Sequence, residues 1–108
     1  MTNFYLSKAY PEYDVVLGSG KGFMFSFNFD RPLVFCFEKS FRGFWHMFFV
    51  FFTIDMVFLD DKNRVIELKE YFRPFHWYVA KKPHRFVLEL DEGDIRRFSI
   101  KLGDRVVF

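Results

Sequence analysis

The chain has 108 residues and a net charge of +2, which excludes a multidomain enzyme, a repeat array and a dinucleotide-binding fold with its own substrate domain. Charged residues make up 28% and aromatic residues 24%, with 19 Phe, so rings must supply a large share of the buried surface. Size scaling predicts a folded surface of about 6,400 Å², enough burial for a core without staples.

The longest apolar stretch, residues 47–54, ends at Asp55, far short of the roughly 20 residues a membrane-spanning helix needs. The first eight residues lack the basic region and apolar run of a signal peptide, so a cytoplasmic location and no membrane partner are expected. The small basic excess does not mark a nucleic-acid partner. A single cysteine, Cys36, excludes an internal disulfide and a cysteine-based zinc site, and its apolar run suits an inert core thiol. The lack of Gln beside abundant Lys, Arg and Glu points to a thermophilic source.

In chain order, residues 10–17 read as a short helix with Pro11 in its first turn. Gly18-Ser19-Gly20-Lys21-Gly22 fails phosphate-loop spacing and reads as a turn. The segment from Lys21 to Asn28 resembles the aromatic strand of RNA-binding domains. However, Met24, Ser26 and Asn28 stand where a small, an aliphatic and an aromatic residue are needed, so no nucleic-acid binding is expected. Residues 32–37 and 44–52 are apolar on both faces, as central strands between two layers would be. Residues 53–60 and 65–71 read as a hairpin joined by Asp61-Lys62-Asn63, with Asn63 best able to take positive φ.

Residues 72–78, bounded by Pro74, read as loop, and Lys81-Lys82-Pro83-His84-Arg85 as a solvated basic patch. Residues 85–90 alternate, with Phe86, Leu88 and Leu90 on one face. Asp91 is placed to cap a helix running to Phe98, with Asp94 in its first turn and Ile95 and Phe98 sharing a face. Gly103-Asp104 turns the chain into a closing strand, residues 105–108. The pattern predicts a single mainly β domain over residues 1–108, a β-sandwich or partly open barrel with one or two short helices.

His46, His76 and His84 form no close pair and no HExxH pattern, so no metal site and no cofactor are indicated. Asp55 interrupts an apolar strand. Thr53, Asp55, Val57 and Leu59 share one face, and Ile54, Met56 and Phe58 share the other. A carboxyl in that position needs partners, among which His46, Arg64, Arg85 and backbone amides are candidates. A structural pairing is expected; a catalytic base with His46 or His76 as acid–base partner is the alternative. Phe75, His76, Trp77 and Tyr78 form either the lip of an apolar or sugar-stacking cleft or a cap on the open end of the core.

Three functions therefore stay open. The first is a non-enzymatic binding module for a small apolar or aromatic ligand or a peptide, with Phe75, His76, Trp77 and Tyr78 at its site. The second is a small hydrolase or isomerase using Asp55 and a histidine. The third is a structural homodimer that buries surplus aromatics.

Gly22-Phe23-Met24-Phe25, Leu33-Val34-Phe35-Cys36-Phe37, the run from Phe51 to Asp60, Arg64-Val65-Ile66-Glu67, Arg85 to Leu90 and Gly103-Asp104 occur together in that order. In combination they resemble the Domain of Unknown Function 192 family of bacteria and archaea over roughly residues 20–108. The resemblance implies a mainly β fold with no established activity. Bacterial members often carry Trp-Met-Lys-Asn-Thr where this chain reads His46-Met47-Phe48-Phe49-Val50, a form similar to archaeal members. Thr53 stands where Pro is usual. Any role of that Lys and Asn is not carried over, whereas Asp55 is; Asn63 falls where relatives often have Gly.

Overall fold

Alternation along β-branched and aromatic runs builds one five-stranded sheet at the centre of the molecule. The computed structural model describes residues 2–18 and 22–108, so the turn expected at residues 18–22 lies largely outside the described residues. Chain order gives β1 (Asn3–Tyr5), α1 (Leu6–Ala9), β2 (Asp14–Leu17), β3 (Leu33–Phe41), β4 (Phe44–His46), β5 (Ile54–Leu59), β6 (Val65–Phe72), β7 (Trp77–Val79), β8 (His84–Asp91), α2 (Asp94–Arg97) and β9 (Arg105–Val107). The central sheet runs β2-β3-β8-β5-β6, with β1-β9 and β4-β7 as separate two-stranded pairs. The β2-β3 and β1-β9 pairs are parallel and the rest antiparallel. The fold is mainly β with two short helices and sheets that do not close into a barrel. Its accessible surface is 6483 Å², close to the size expectation.

The period of two sorts β5 as read from sequence. Ile54, Met56 and Phe58 enter one buried cluster with Phe35, Phe72 and Val87. Val57 and Leu59 enter a second with Val34, Leu88, Leu90 and Val106. The sheet is therefore covered on both faces. The first face lies under residues 22–29, residues 47–52 and the β4-β7 ribbon; the second lies under α1, α2 and the β1-β9 pair. Strands β3, β5 and β8, central and covered twice, are apolar on both sides for this reason.

Four expectations are corrected. Residues 44–52 are not one central strand: only Phe44–His46 pairs, with β7, while Phe49 turns at φ 60°. The first helix is at Leu6–Ala9, and residues 14–17 form edge strand β2 instead. Asp91 is the last residue of β8, paired with Ile54, and the helix starts three residues later behind Gly93, whose left-handed φ of 84° makes the turn. Trp77 and Tyr78 lie in a strand rather than a loop. The hairpin between β5 and β6 forms as expected, with Asn63 at φ 63°. Residues 23–28 make turns, not an aromatic strand.

Candidate functional site

The first face of the sheet does not fill completely. Alternation in β3 turns Phe35 and Phe37 toward it, and β4 contributes Phe44, Trp45 and His46. Phe23 and Met24 come from the turns after residue 22, and Met47, Phe48 and Val50 from the chain after β4. Between them lies a cavity of about 500 Å³ open to solvent at one side. Its walls are rings in edge-to-face contact: Phe35 on Trp45 at 5.3 Å, Phe37 on Trp45 at 5.9 Å and Phe37 on Phe41 at 4.5 Å between centroids. Phe44 and Phe48 stand exposed at the rim.

One carboxyl reaches this apolar wall. Glu89 sits in β8 opposite Leu33 of β3 and Met56 of β5, so both lateral neighbours are apolar. Only 6% of it is exposed, and a Cβ built on Gly22 would come within 3.4 Å of its Oε1. Burial, which penalises the charged form, pushes its pKa up to about 8.

The other buried acids are satisfied within the chain. Glu67 accepts from the Tyr78 hydroxyl and from the amides of Lys81 and Lys82. Asp94 accepts from the Tyr10 hydroxyl and the Asp91 amide. Asp104 accepts from Thr2 and the Lys101 amide. The phenols of Tyr10 and Tyr78 are pushed up, first by burial and then by their carboxylate acceptors.

Asp55 is fully buried, with Oδ1 accepting from the Tyr71 amide at 3.0 Å and Oδ2 from the Ile95 amide at 2.9 Å. The pairing between β5 and β6 slips by one residue here, so that Glu70 and Tyr71 together oppose Asp55. Its carboxylate replaces the ladder bond that the bulge removes and also satisfies an amide in the first turn of α2. Among the candidate partners, backbone amides hold it. His46 instead accepts from the Phe48 amide at 3.2 Å on the other face of the sheet, and Arg85 donates to the Phe37 carbonyl at 2.9 Å.

His84 is a correction: the basic patch suggests a solvated ring, yet it is fully buried. Trp45 Nε1 donates to its Nε2 at 3.3 Å, which leaves Nδ1 to donate to the Lys82 carbonyl at 3.2 Å. Burial lowers its pKa. Gly43 allows this arrangement, because a Cβ there would lie 2.5 Å from the indole nitrogen. Cys36 is half-buried, and burial raises its thiol.

The four aromatic candidates do not gather at the cavity. Phe75 packs edge-on against Phe49 and Phe51. His76 bonds its own turn at Pro74, Trp77 is 64% exposed, and Tyr78 turns inward to Glu67. Their ribbon partner β4 lines the cavity instead, and of the sequence candidates His46 does so. Glu89 escaped sequence reading because alternation placed it opposite the Phe86–Leu88–Leu90 face, where a solvated side chain is the ordinary outcome. Val87, apolar on the same face, was the available signal that this face too is covered. Among the described residues, no group of three His, Cys, Asp or Glu side chains could hold a metal ion, and no helix is long and apolar enough to cross a membrane.

The family model DUF192, described as "Uncharacterized ACR", matches residues 17–108. A UPF0127 protein of Thermococcus sibiricus is 33% identical over 88 residues, covering 80% of this chain and 56% of its own length. Another, from Pyrococcus abyssi, is 34% identical over 87 residues, covering 79% of this chain and 73% of its own. The chain thus spans little more than half of the first relative. A protein of unknown function from Novosphingobium aromaticivorans has a similar crystal structure, with a TM-score of 0.77 and 22% identity over 84% of this chain and 70% of its own. A candidate transcription regulator from Sinorhizobium meliloti reaches a TM-score of 0.79 at 21% identity, over 86% and 78%. At that identity these two share the fold.

Proposed function

Since the chain belongs to the DUF192 family, as an archaeal-type member, we propose that it is a non-enzymatic binding module for a small aromatic or apolar ligand. One observation carries this reading: an aromatic-walled cavity of about 500 Å³ with a single buried carboxyl in its wall. The volume falls in the usual range for small-molecule sites, and an apolar lining with few placed polar groups is their usual composition. An acid–base role for Asp55 finds less support, because both its oxygens are engaged by amides and it faces away from the cavity.

Trp45 makes the reading testable. In a Trp77→Phe background the cavity indole is the sole tryptophan, so small neutral aromatics such as 2-phenylethanol are expected to change its emission saturably. A Kd in the millimolar range or tighter, on the order of −4 kcal/mol, is expected, and Phe44→Ala at the rim should weaken it. If neither 2-phenylethanol nor its amine analogue saturates the signal, the reading is wrong.

A second reading, self-association, draws on a different surface. Phe25 stacks on Phe49 at 5.3 Å and Phe27 on Phe51 at 4.8 Å, with Phe75 against both pairs, and all five are exposed. Such a contiguous apolar patch suits a second copy. Sedimentation at micromolar concentration should then give twice the chain mass, reverting on Phe27→Ser; a monomer at all concentrations dismisses it.

A further inference from the structure

We propose that the ligand of this cavity is an organic cation, with a protonated amine or quaternary ammonium group seated against Glu89 and its carbon skeleton among Phe35, Phe37 and Trp45. This rests on the binding reading above and names the ligand class. Asp55, Glu67, Asp94 and Asp104 each accept two or more hydrogen bonds from the chain. Glu89 is buried to the same degree, and among the described residues nothing donates to it. A carboxyl placed in the middle of a central strand, between Leu33 and Met56, contributes nothing to packing that Leu would not, and it costs folding free energy. It faces the open cavity, so whatever completes it, water or a ligand, comes from there.

The surroundings select the sign of that partner. Phe35, Phe37, Phe41, Phe44 and Trp45 offer π-systems that attract cations, and a carboxylate adds a charge-assisted hydrogen bond. No Lys or Arg is among the described lining residues, so among those residues an anionic ligand would meet Glu89 with no cation to hold it. His46 at the rim is the other titratable group in that lining, and β3 and β5 present only apolar side chains beside Glu89. Since burial holds Glu89 largely uncharged at neutral pH, seating a cation drives its proton to the buffer and leaves an ion pair.

The test compares phenethylammonium with 2-phenylethanol, equal in skeleton and differing in charge, by Trp45 emission and calorimetry at pH 7. The cation is expected to bind at least about tenfold tighter. Glu89→Gln should remove that margin while leaving the alcohol within about twofold. Independently of any variant, calorimetry in two buffers of different ionisation enthalpy should register proton release approaching one per cation bound, and none for the alcohol. Equal or tighter binding of the alcohol, or an undiminished margin in Glu89→Gln, overturns the cation assignment while the cavity reading stands. If neither compound binds, both readings fall.

Discussion

Asp55→Asn removes one acceptor from a residue that serves two buried amides. The Asn carbonyl can keep one bond, but its amino group then faces the other N–H, so one charge-assisted hydrogen bond is lost and a buried donor is orphaned. A bond of that kind is worth roughly 1.5–3 kcal/mol and the orphaned group costs about 1–3. With partial relaxation the expected loss is about 2–4 kcal/mol. The Tyr71 end carries a further burden, because Tyr71 sits at φ 52°, a conformation that costs a non-glycine residue about 1 kcal/mol or more. Asp55→Leu adds volume at a fully buried position and orphans both amides, and the Ile95 amide lies in a buried setting where water cannot replace the lost partner. We therefore expect the Leu variant to lose more than Asn, about 3–5 kcal/mol. Guanidinium unfolding with an unchanged m-value is the assay; at about 3 kcal/mol/M the midpoint falls by roughly 1 M for Asn and further for Leu. Leu as stable as Asn, or Asn within about 0.5 kcal/mol of wild type, would refute the capping argument.

Glu89, raised from 4.5 to about 8, contributes stability that is complete below its unfolded value and lost as pH rises through the folded one. Chemical unfolding between pH 5 and 8 should show a decline approaching about tenfold in the folding constant per pH unit, which Glu89→Gln flattens. His84 has the opposite sign: its lowered value adds stability present above about pH 6.5 and lost on acidification. His84→Gln should therefore soften the acid limb of the same profile. Glu67→Gln weakens the Tyr78 bond and the clamp on the Lys81 and Lys82 amides, at an expected cost of about 1–3 kcal/mol read as a lower melting temperature.

What was legible in sequence followed from strict periods and special backbone positions. Ile54, Met56 and Phe58 against Val57 and Leu59 separate by parity alone, and Asn63 marks its turn because few residues tolerate positive φ. Residues 44–52 were illegible for the opposite reason: a run apolar throughout carries no period, and the reversals at Phe25 and Phe49, φ 67° and 60°, occur at residues that do not signal turns. Asp91 looked like a cap, but its pairing with Ile54 extends β8, and Gly93 supplies the break instead. The face of Asp55 and its need for partners could be derived, whereas which amides answer it depends on a bulge formed between distant residues. His84 reads as wet because its neighbours are basic, and Glu89 carries no mark of its own in a strand that alternates. Only the second layer over that face of the sheet shows otherwise.

That layer has a kinetic consequence. The ribbon of β4 and β7, of which β4 lines the cavity, consists of two three-residue strands, held to the sheet by side-chain bonds of Trp45 to His84 and Tyr78 to Glu67. Strands this short hold few backbone bonds of their own, whereas β3, β8 and β5 are interlocked across the middle of the sheet. Hydrogen exchange in the ribbon should accordingly proceed through local lifting, well before global unfolding. The wall of the cavity that β4 supplies should therefore exchange before the wall that β3 and β8 supply.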